Sequence, residues 1–509
     1  MRGMNHIMSA SREKKKRQEQ FTAEAASAQN TKKGLSKTVK TALGIVLAVV
    51  LVAAIVFLGM VSTGFFEAHS TAAVANGHKL TPAMVNYYYA NVYQQNQQIL
   101  SVFSDSEKPL SEQAYITEEY ETWNDYLLTS AVATAASTYA VYDEAVSKGF
   151  TLSDDAKASI DSQLESMDLM GSMYGYGTGD AYLSAVYGKG CSKDSFKEYL
   201  TVNYLAQEYS NSIVEALTYT QDELDAYYAE NPGDFDSVTF RMFNMTAEAD
   251  TTDENGESTV SEEALAQVEE KAKAMAEAAQ GNEEAFLELA LENTPEDQQE
   301  TYDADASTLR EAYTENQCMD AYHEWMTDDA RQPGDTTYVY NTTNGYYVLY
   351  FVEQVDLNFQ LPNVRHILIA PDDTSDEASK AEAKAKAEAL LAEFLAGDAT
   401  EEAFAALANE NSSDTGSNTN GGLYENIAPG NMVESFEDWC YEEGRQPGDT
   451  GIVETQYGYH IMYFSGFGKI YRDYMVENVL LNRDYSAWQE AVLADRSYTI
   501  KSTRFVATR

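Results

Sequence analysis

The chain has 509 residues, of which 44% are hydrophobic, and this is enough for roughly three or four domains with apolar cores. Its formal net charge is −48 at pH 7, so the phosphate backbone of a nucleic acid would be repelled and nucleic acid is excluded as a principal partner. The three cysteines, Cys191, Cys318 and Cys440, are too few and too widely spaced to predict a disulfide framework or a cysteine metal site.

The charge is unevenly distributed along the chain. Residues 1–40 hold ten Lys or Arg and three Glu, whereas residues 41–66 hold no charged side chain. The centre of this uncharged segment, GIVLAVVLVAAIVFLGM, is apolar and suited to cross a hydrocarbon layer of about 30 Å as a helix. We predict a basic cytoplasmic tail at 1–40, a transmembrane helix at 41–62 and an acidic body outside the cell membrane. The alternative is a cleaved signal peptide, which the length of the basic segment disfavours.

Residues 68–235 carry helical patterns and little strand alternation. Thr81 followed by Pro82 predicts a helix start, because Thr is a common N-cap and Pro is tolerated in the first turn. The Gly-rich stretch 170–180 is expected to be a loop. We predict an all-helical domain, whose many Tyr and Met side chains either line an adaptable apolar groove or fill the core.

Two later stretches of the chain are copies of each other. Trp325 is followed by five residues, RQPGDT, eight residues and GYYVLYF, and Trp439 is followed by five residues, RQPGDT, seven residues and GYHIMYF. Strand and helix patterns around both follow the order β-α-α-(β)-α-β-β. A repeat of this kind indicates one small α+β domain present twice, and we place the two domains at 237–355 and 361–468.

The last segment, 469–509, begins with an amphipathic helix. Tyr471, Tyr474, Leu481 and Trp488 are among the apolar residues that fall at spacings of three and four along it. A lone helix cannot bury such a seam, so we expect this segment to dock on the helical domain.

The second copy differs from the first in its histidines. His366 and His460 each lie in a predicted strand, and His460 stands where the first copy has Tyr347. Because side chains alternate along a strand, His366 shares a face with Leu368 and His460 shares a face with Met462. If the two strands are neighbours, both imidazoles can face one shallow cavity. Otherwise each is an ordinary hydrogen-bonded polar residue of its strand.

Four segments of the second copy, VRHILIA, SDTGSNTNGG, NMVESF and GYHIMYF, resemble the parvulin type of peptidyl-prolyl cis-trans isomerase in order and spacing over 363–466. The helical segment, the two copies and the returning helix together resemble the PrsA/SurA-like extracytoplasmic foldases. The resemblance implies a multidomain α+β fold with an all-α chaperone-like domain completed by the C-terminal helix, preceded by the single transmembrane helix that the apolar segment predicts. Two tandem parvulin-like domains would follow the helical domain, the first of them degenerate.

The resemblance also implies roles for single residues of the second copy. His366 and His460 would form a central imidazole pair, and Asp414 would lie near the substrate carbonyl. The apolar pocket for the proline ring would be formed by Leu368, Tyr424, Met432 and Phe436. Neither a cofactor nor a metal ion is implied.

Both copies depart from the family pattern. The second copy reads Gly-Gly-Leu-Tyr-Glu at 421–425, where the family has Gly-Gly-Asp-Leu-Gly, so the rim of its pocket is altered. In the first copy, four substitutions remove the implied active site: Met242 and Tyr347 replace the histidines, and Cys318 and Tyr322 replace the pocket Met and Phe. We therefore predict that the first domain has lost the active site.

The sequence thus predicts a membrane-anchored foldase that isomerises X-Pro bonds in unfolded or partly folded secreted polypeptides and assists their folding. A homodimer is left open. The acidic loop 371–377 disfavours recognition of a phosphorylated residue before proline. The alternative is a non-catalytic holdase that uses the same domains as peptide-binding modules, and a structural surface protein is a weaker third reading.

Overall fold

The computed structural model describes four stretches of the chain, which are residues 15–17, 37–252, 258–328 and 330–507. Most of the predicted basic tail 1–40 lies outside the described residues. The chain divides into two compact units. The first comprises Met1–Ala216 with Ser486–Arg509, and the second comprises Leu217–Tyr485.

The first unit is largely helical. Its elements before the second unit are α1 Lys37–Ser62, α2 Phe65–His69, β1 Ala73–Ala75, β2 His78–Leu80, α3 Pro82–Gln95, α4 Gln97–Phe103, α5 Trp123–Ser147, α6 Asp154–Met173, α7 Gly179–Tyr187 and α8 Lys193–Ala216. Thr81 caps α3, because its hydroxyl accepts the Met84 N–H and Pro82 occupies the first turn. Thr122 and Asp125 form a capping box at the start of α5, so both helices begin where local hydrogen bonds favour it.

Aromatic side chains fill the centre of the first unit. Trp123, Tyr87, Tyr88 and Tyr89 are at most 2% exposed. The Tyr89 hydroxyl donates a hydrogen bond of 3.0 Å to the amide oxygen of Asn124. A buried phenol needs such a partner, so Tyr88 and Tyr89 are core residues, while Tyr87 also lines a cavity of about 480 Å³ with Tyr93 and Tyr199.

The prediction of a loop over 170–180 is wrong at both ends. Helix α6 continues to Met173, and α7 begins at Gly179. Gly171 lies inside α6, where a Cβ atom would come within 2.3 Å of the Thr178 carbonyl oxygen. Glycine is needed there because two segments approach closely, and not because the chain turns.

The second unit contains the repeat. After α9 Gln221–Glu230, the first copy consists of β3 Ser237–Thr246, β4 Thr251–Thr252, β5 Ser258–Thr259, α10 Glu262–Ala279, α11 Glu283–Asn293, α12 Ala304–Thr308, β6 Leu309–Thr314, α13 His323–Met326, β7 Thr336–Tyr340 and β8 Gly345–Gln354. The second copy consists of β9 Gln360–Ile369, α14 Glu377–Ala396, α15 Glu401–Asn411, β10 Leu423–Tyr424, α16 Glu434–Tyr441, β11 Thr450–Thr455 and β12 Gly458–Ile470. The strand orders are β6-β3-β8-β7 and β10-β9-β12-β11, so one topology occurs twice.

The repeated RQPGDT segments make the same contacts in both copies. The guanidinium carbon of Arg331 lies 4.0 Å from the centre of the Trp325 ring, and that of Arg445 lies 3.9 Å from the centre of the Trp439 ring. Each arginine Nε also donates to the carbonyl oxygen of its own tryptophan at 3.0 Å. The motif therefore fixes the turn that leads into the final hairpin of each domain by a cation–π contact and a hydrogen bond.

The sheet of the second copy is covered on both faces. Helices α14 and α15 cover one face, where Phe404, Ile461 and Ile369 are at most 2% exposed. Helix α16 covers the other face, where its Phe436 and Cys440 join a cluster of buried residues from β9, β11 and β12. Alternate side chains of β9 and β12 therefore pack into two separate cores, one on each face of the sheet.

The end of the chain returns to the first unit. Helix α17 Tyr471–Leu493 has Val476 and Leu480 buried in a cluster of the second unit. Beyond it, β13 Tyr498–Ile500 pairs antiparallel with β1 to give the sheet order β13-β1-β2. Trp488 lies beside Tyr209 of α8, with ring centres 6.1 Å apart.

Helix α1 covers residues 41–62 of the uncharged segment, but the side chains of residues 37–45 and 47 lie outside the described residues. Within the part of the chain that the structure describes, no helix is both long enough and apolar enough to span a membrane.

Candidate functional site

The two histidines come together because β9 and β12 are antiparallel neighbours. Their register sets His366 opposite Met462 and His460 opposite Leu368. Opposed residues of such a pair point to the same face, so both imidazoles lie on one face of the sheet. The two Nδ1 atoms are 3.0 Å apart, and the side chains are 3% and 6% exposed. Residues 94 apart in sequence thus form one buried contact.

Asp414 reaches this pair from the loop after α15. Its Oδ2 lies 2.9 Å from His366 Nε2. The loop is tied to the outer edge of β9, because the Ser413 N–H donates to the Leu368 carbonyl at 2.8 Å and the Leu368 N–H donates to Ser412 Oγ at 3.1 Å. Backbone hydrogen bonds therefore position the carboxylate.

Three further donors surround Asp414. Its carboxylate accepts hydrogen bonds from Ser417 Oγ at 2.5 Å, from the Gly416 N–H at 3.1 Å and from the Tyr424 hydroxyl at 2.9 Å. Burial alone would raise its pKa, but these hydrogen bonds outweigh burial and lower the pKa of Asp414 to about 2. Asp414 is therefore an anion at any pH near neutrality.

An anionic Asp414 sets the direction of every hydrogen bond in the site. A carboxylate can only accept, so His366 Nε2 carries the proton of their contact. In a neutral ring His366 Nδ1 must then accept, and His460 Nδ1 donates to it. His460 Nε2 is left as an acceptor for the hydroxyl of Thr455, 2.9 Å away. One line of hydrogen bonds runs from Thr455 through both imidazoles to Asp414.

Burial keeps both rings neutral. It lowers the pKa of His366, although the Asp414 carboxylate opposes this. It also lowers the pKa of His460 to about 4, and the proximity of His366 acts in the same direction. At pH 7 the site therefore holds one negative charge, on Asp414, and two uncharged imidazoles.

Aromatic and aliphatic side chains surround the imidazole pair. The Phe436 ring is 2% exposed and lies edge-on to both imidazoles, with ring centres 5.4 Å from His366 and 5.3 Å from His460. Tyr424 stacks on His366 at 5.1 Å. Leu368, Tyr424 and Met432 are half-buried and offer apolar surface to solvent. Tyr424 and Met432 pack against the cluster that contains Phe436, and Leu368 lies opposite His460 in the strand pairing, so the seven predicted site residues lie close together.

Gly422 shapes the same edge. Its φ is +71°, and a Cβ atom there would lie 2.2 Å from the His366 carbonyl oxygen. The Gly422 carbonyl accepts the His366 N–H at 2.8 Å. The glycine pair of the altered 421–425 run is therefore required by sterics, while Tyr424 in the same run adds a hydroxyl donor for Asp414.

Ser417 and Thr455 also belong to the site, although the sequence pattern predicts neither. Ser417 is 0% exposed and contacts both Asp414 and His366 Nε2, the latter at 3.1 Å. Ser417 follows Asp414 by three residues. This spacing is typical of local side-chain hydrogen bonds and could have predicted the contact between them. Thr455 ends β11 next to the hairpin turn, and its place beside His460 depends on the strand pairing.

The first copy keeps the scaffold and has neither histidine. Its register sets Met242 opposite Leu349 and Asn244 opposite Tyr347, which places Met242 and Tyr347 where the second copy has its histidines. The Tyr347 ring packs edge-on to Tyr322 at 6.0 Å. Among the described residues of the chain, no group of three or more His, Cys, Asp or Glu side chains could hold a metal ion.

Part of the chain is similar to known proteins. Residues 346–465 match the PPIC-type peptidyl-prolyl isomerase domain. The chain is 38% identical over 99 residues to foldase protein PrsA 1 of Listeria innocua, covering 19% of this chain and 28% of that protein. It is 32% identical over 160 residues to chaperone SurA of Pseudomonas fluorescens, covering 30% and 36%. The crystal structure of PrsA from Bacillus subtilis aligns with a TM-score of 0.30 and 16% identity over 76% of this chain and 93% of that chain.

The protonation pattern can be measured by ¹⁵N NMR of the imidazoles. At pH 7.5 we expect His366 in the Nε2–H form and His460 in the Nδ1–H form, and His460 should titrate near its lowered pKa of about 4. Because an unfolded imidazole protonates near 6.5, the folded state should lose stability as the pH falls from about 6.5 towards 4. A His460 titration near 6.5 would contradict this assignment.

Proposed function

We propose that this chain, whose residues 346–465 belong to the PPIC-type peptidyl-prolyl isomerase family, is a foldase that catalyses cis-trans isomerisation of X-Pro bonds. The observation that carries the proposal is the buried, uncharged His366–His460 pair held next to an anionic Asp414 and beside half-buried apolar side chains. The matched stretch spans 28% of the Listeria foldase, so the activity of the whole chain is inferred from this domain.

The reaction requires a twisted amide and no covalent step. Rotation about the X-Pro bond faces a barrier of about 18–20 kcal/mol, because amide resonance is lost on twisting. Each tenfold acceleration requires about 1.36 kcal/mol of selective stabilisation of the twisted state. A site that prefers a weakly polarised carbonyl over a strongly polarised one meets this requirement.

Each predicted residue would contribute to that preference. The planar amide carries more negative charge on its carbonyl oxygen than the twisted one, so a fixed carboxylate at Asp414 beside that oxygen disfavours the planar state. Phe436, Met432 and Leu368 would hold the proline ring in apolar contact. The neutral imidazoles His366 and His460 would keep Asp414 and the pocket in place without adding a positive charge that would stabilise the planar carbonyl.

The helical unit gives the foldase a surface for unfolded clients. Outside α1, five of its large apolar side chains are at least 60% exposed: Val102, Phe103, Leu169, Met173 and Tyr174. Exposed apolar groups of this size are typical of binding surfaces. X-Pro isomerisation takes tens to hundreds of seconds, so an enzyme that holds a secreted chain and accelerates this step would shorten its exposure to aggregation.

We place this foldase on the outer face of the cell membrane, with its N-terminus in the cytoplasm. The charge-free segment 41–66 after a basic tail supports the anchor. So do the side chains of Val49, Leu51 and Leu58 in α1, which are more than half exposed. Alkaline carbonate extraction should leave the full chain in the membrane pellet and release a variant without residues 41–62. Release of the full chain would contradict the anchor.

The second candidate function is a holdase without isomerase activity. The altered run at 421–425 favours it, since the rim of the proline pocket differs from the family pattern. The exposed apolar residues of the helical unit serve either function equally well.

Isomerase activity separates the two candidates. In a protease-free assay on an X-Pro peptide, the full chain should accelerate isomerisation, and His460→Ala should lower kcat/KM at least about tenfold, because removing the ring leaves His366 Nδ1 without its donor. The matched control is His323→Ala in the first copy, which should leave the rate unchanged.

Two outcomes would count against the enzyme. Equal rates for His460→Ala and the parent chain would contradict the assigned site. No acceleration by the parent chain, with circular dichroism showing a folded protein, would favour the holdase.

A further inference from the structure

The two copies differ at the outer edge of their first strand. In the second copy, loop 412–422 hydrogen-bonds to the edge of β9 at His366 and Leu368. In the first copy, the pairing of β6 with β3 covers Ser237–Arg241 and ends there. Residues 242–246 continue beyond it and pair with β8 on their other side. In the second copy, the loop that carries Asp414 thus pairs with the outer edge of the first strand. In the first copy, the strand pairings leave the same edge without a partner at residues 242–246.

A groove lies along this part of β3. It has a volume of about 410 Å³, and all five residues 242–246 line it. Val268, Pro295 and Tyr302 contribute to its other side. Asn244 and Thr246 are exposed, so the strand is accessible from this side. A groove beside the open edge of a strand accepts one more extended segment, whose backbone groups continue the sheet.

The groove is also positively charged within a strongly acidic chain. Lys271 and Arg310 line it, together with one carboxylate, that of Glu248. The Arg310 guanidinium donates to the carbonyl oxygens of Ser307 at 3.1 Å and Leu309 at 2.7 Å, so it is held in place. Among the ion pairs of the described residues, neither Lys271 nor Arg310 takes part. Two cations without a carboxylate partner favour an acidic side chain in the occupant.

We propose that the first copy binds an extended segment of a client polypeptide as an added strand beside residues 242–246, with an acidic side chain of that segment paired to Lys271 and Arg310. This rests on the proposed function, because an unfolded client supplies the segment. The first copy then holds a chain whose X-Pro bonds the second copy isomerises. In the first copy the corresponding segment, residues 294–308, lines the groove and leaves the edge of the strand at 242–246 open.

The test uses the full chain and two fluorescein-labelled ten-residue peptides of Thr and Val. One peptide carries a central Glu, and its twin carries Gln there. Neither contains proline, so neither is a substrate for the His366–His460 site. By fluorescence anisotropy, the Glu peptide should bind about fivefold more tightly than the Gln peptide, the gain expected from exposed ion pairs.

Variants of the full chain locate the binding. The double variant Lys271→Gln/Arg310→Gln should bind both peptides equally. Lys273→Gln, on the same helix but outside the groove, should keep the preference. Equal binding of the two peptides by the parent chain, or a preference that survives in the double variant, would overturn the proposal.

Hydrogen exchange provides a second readout that needs no substitution. The Glu peptide should slow amide exchange at 242–246 and leave 366–370 unchanged; unchanged exchange at 242–246 would overturn the proposal. Isomerase turnover separates this proposal from the first one. Peptide binding without turnover in the parent chain counts against the enzyme alone, and turnover without peptide binding counts against the added strand alone.

Discussion

A single proton between the Nδ1 atoms of His366 and His460 is the contact on which the site depends. Two imidazole nitrogens 3.0 Å apart in a buried setting attract only when one carries a proton and the other does not. Asp414 satisfies this condition from one side by fixing the proton of His366, and Thr455 does so from the other by donating to His460. Burial of both rings disfavours a second proton there, because it would make one imidazole a cation and set two N–H groups against each other.

Comparison of the two copies shows which residues form the shared fold and which residues form the site. Both copies stack an arginine of RQPGDT on a tryptophan and share one strand order. Met242 and Tyr347 fill the histidine positions of the first copy without changing that order. The scaffold therefore needs neither imidazole. The His366–His460 pair does not help to fold the second core. Buried polar groups destabilise a core unless all their hydrogen bonds are made.

Strand alternation and the repeat predicted much of this arrangement from the sequence. Period-two patterning placed His366 and His460 on inward faces, and the duplicated Trp and RQPGDT segments predicted two domains of one topology. Ser417 and Thr455 escaped prediction because their neighbours are set by a loop conformation and by strand pairing, which local patterns do not encode. Gly171 misled for a related reason, since a glycine required for close packing looks like a glycine required for a turn.

The pH dependence of kcat/KM for an X-Pro peptide without titratable groups tests the central claim most directly. A neutral imidazole pair beside a permanent carboxylate predicts a flat profile from pH 8 to about pH 7 and a fall only below 6.5, with His460 taking up its proton near pH 4. A profile with its midpoint near 6.5, the ordinary value for an imidazole, would contradict the account, since the reaction would then depend on a histidine that titrates as if exposed to water.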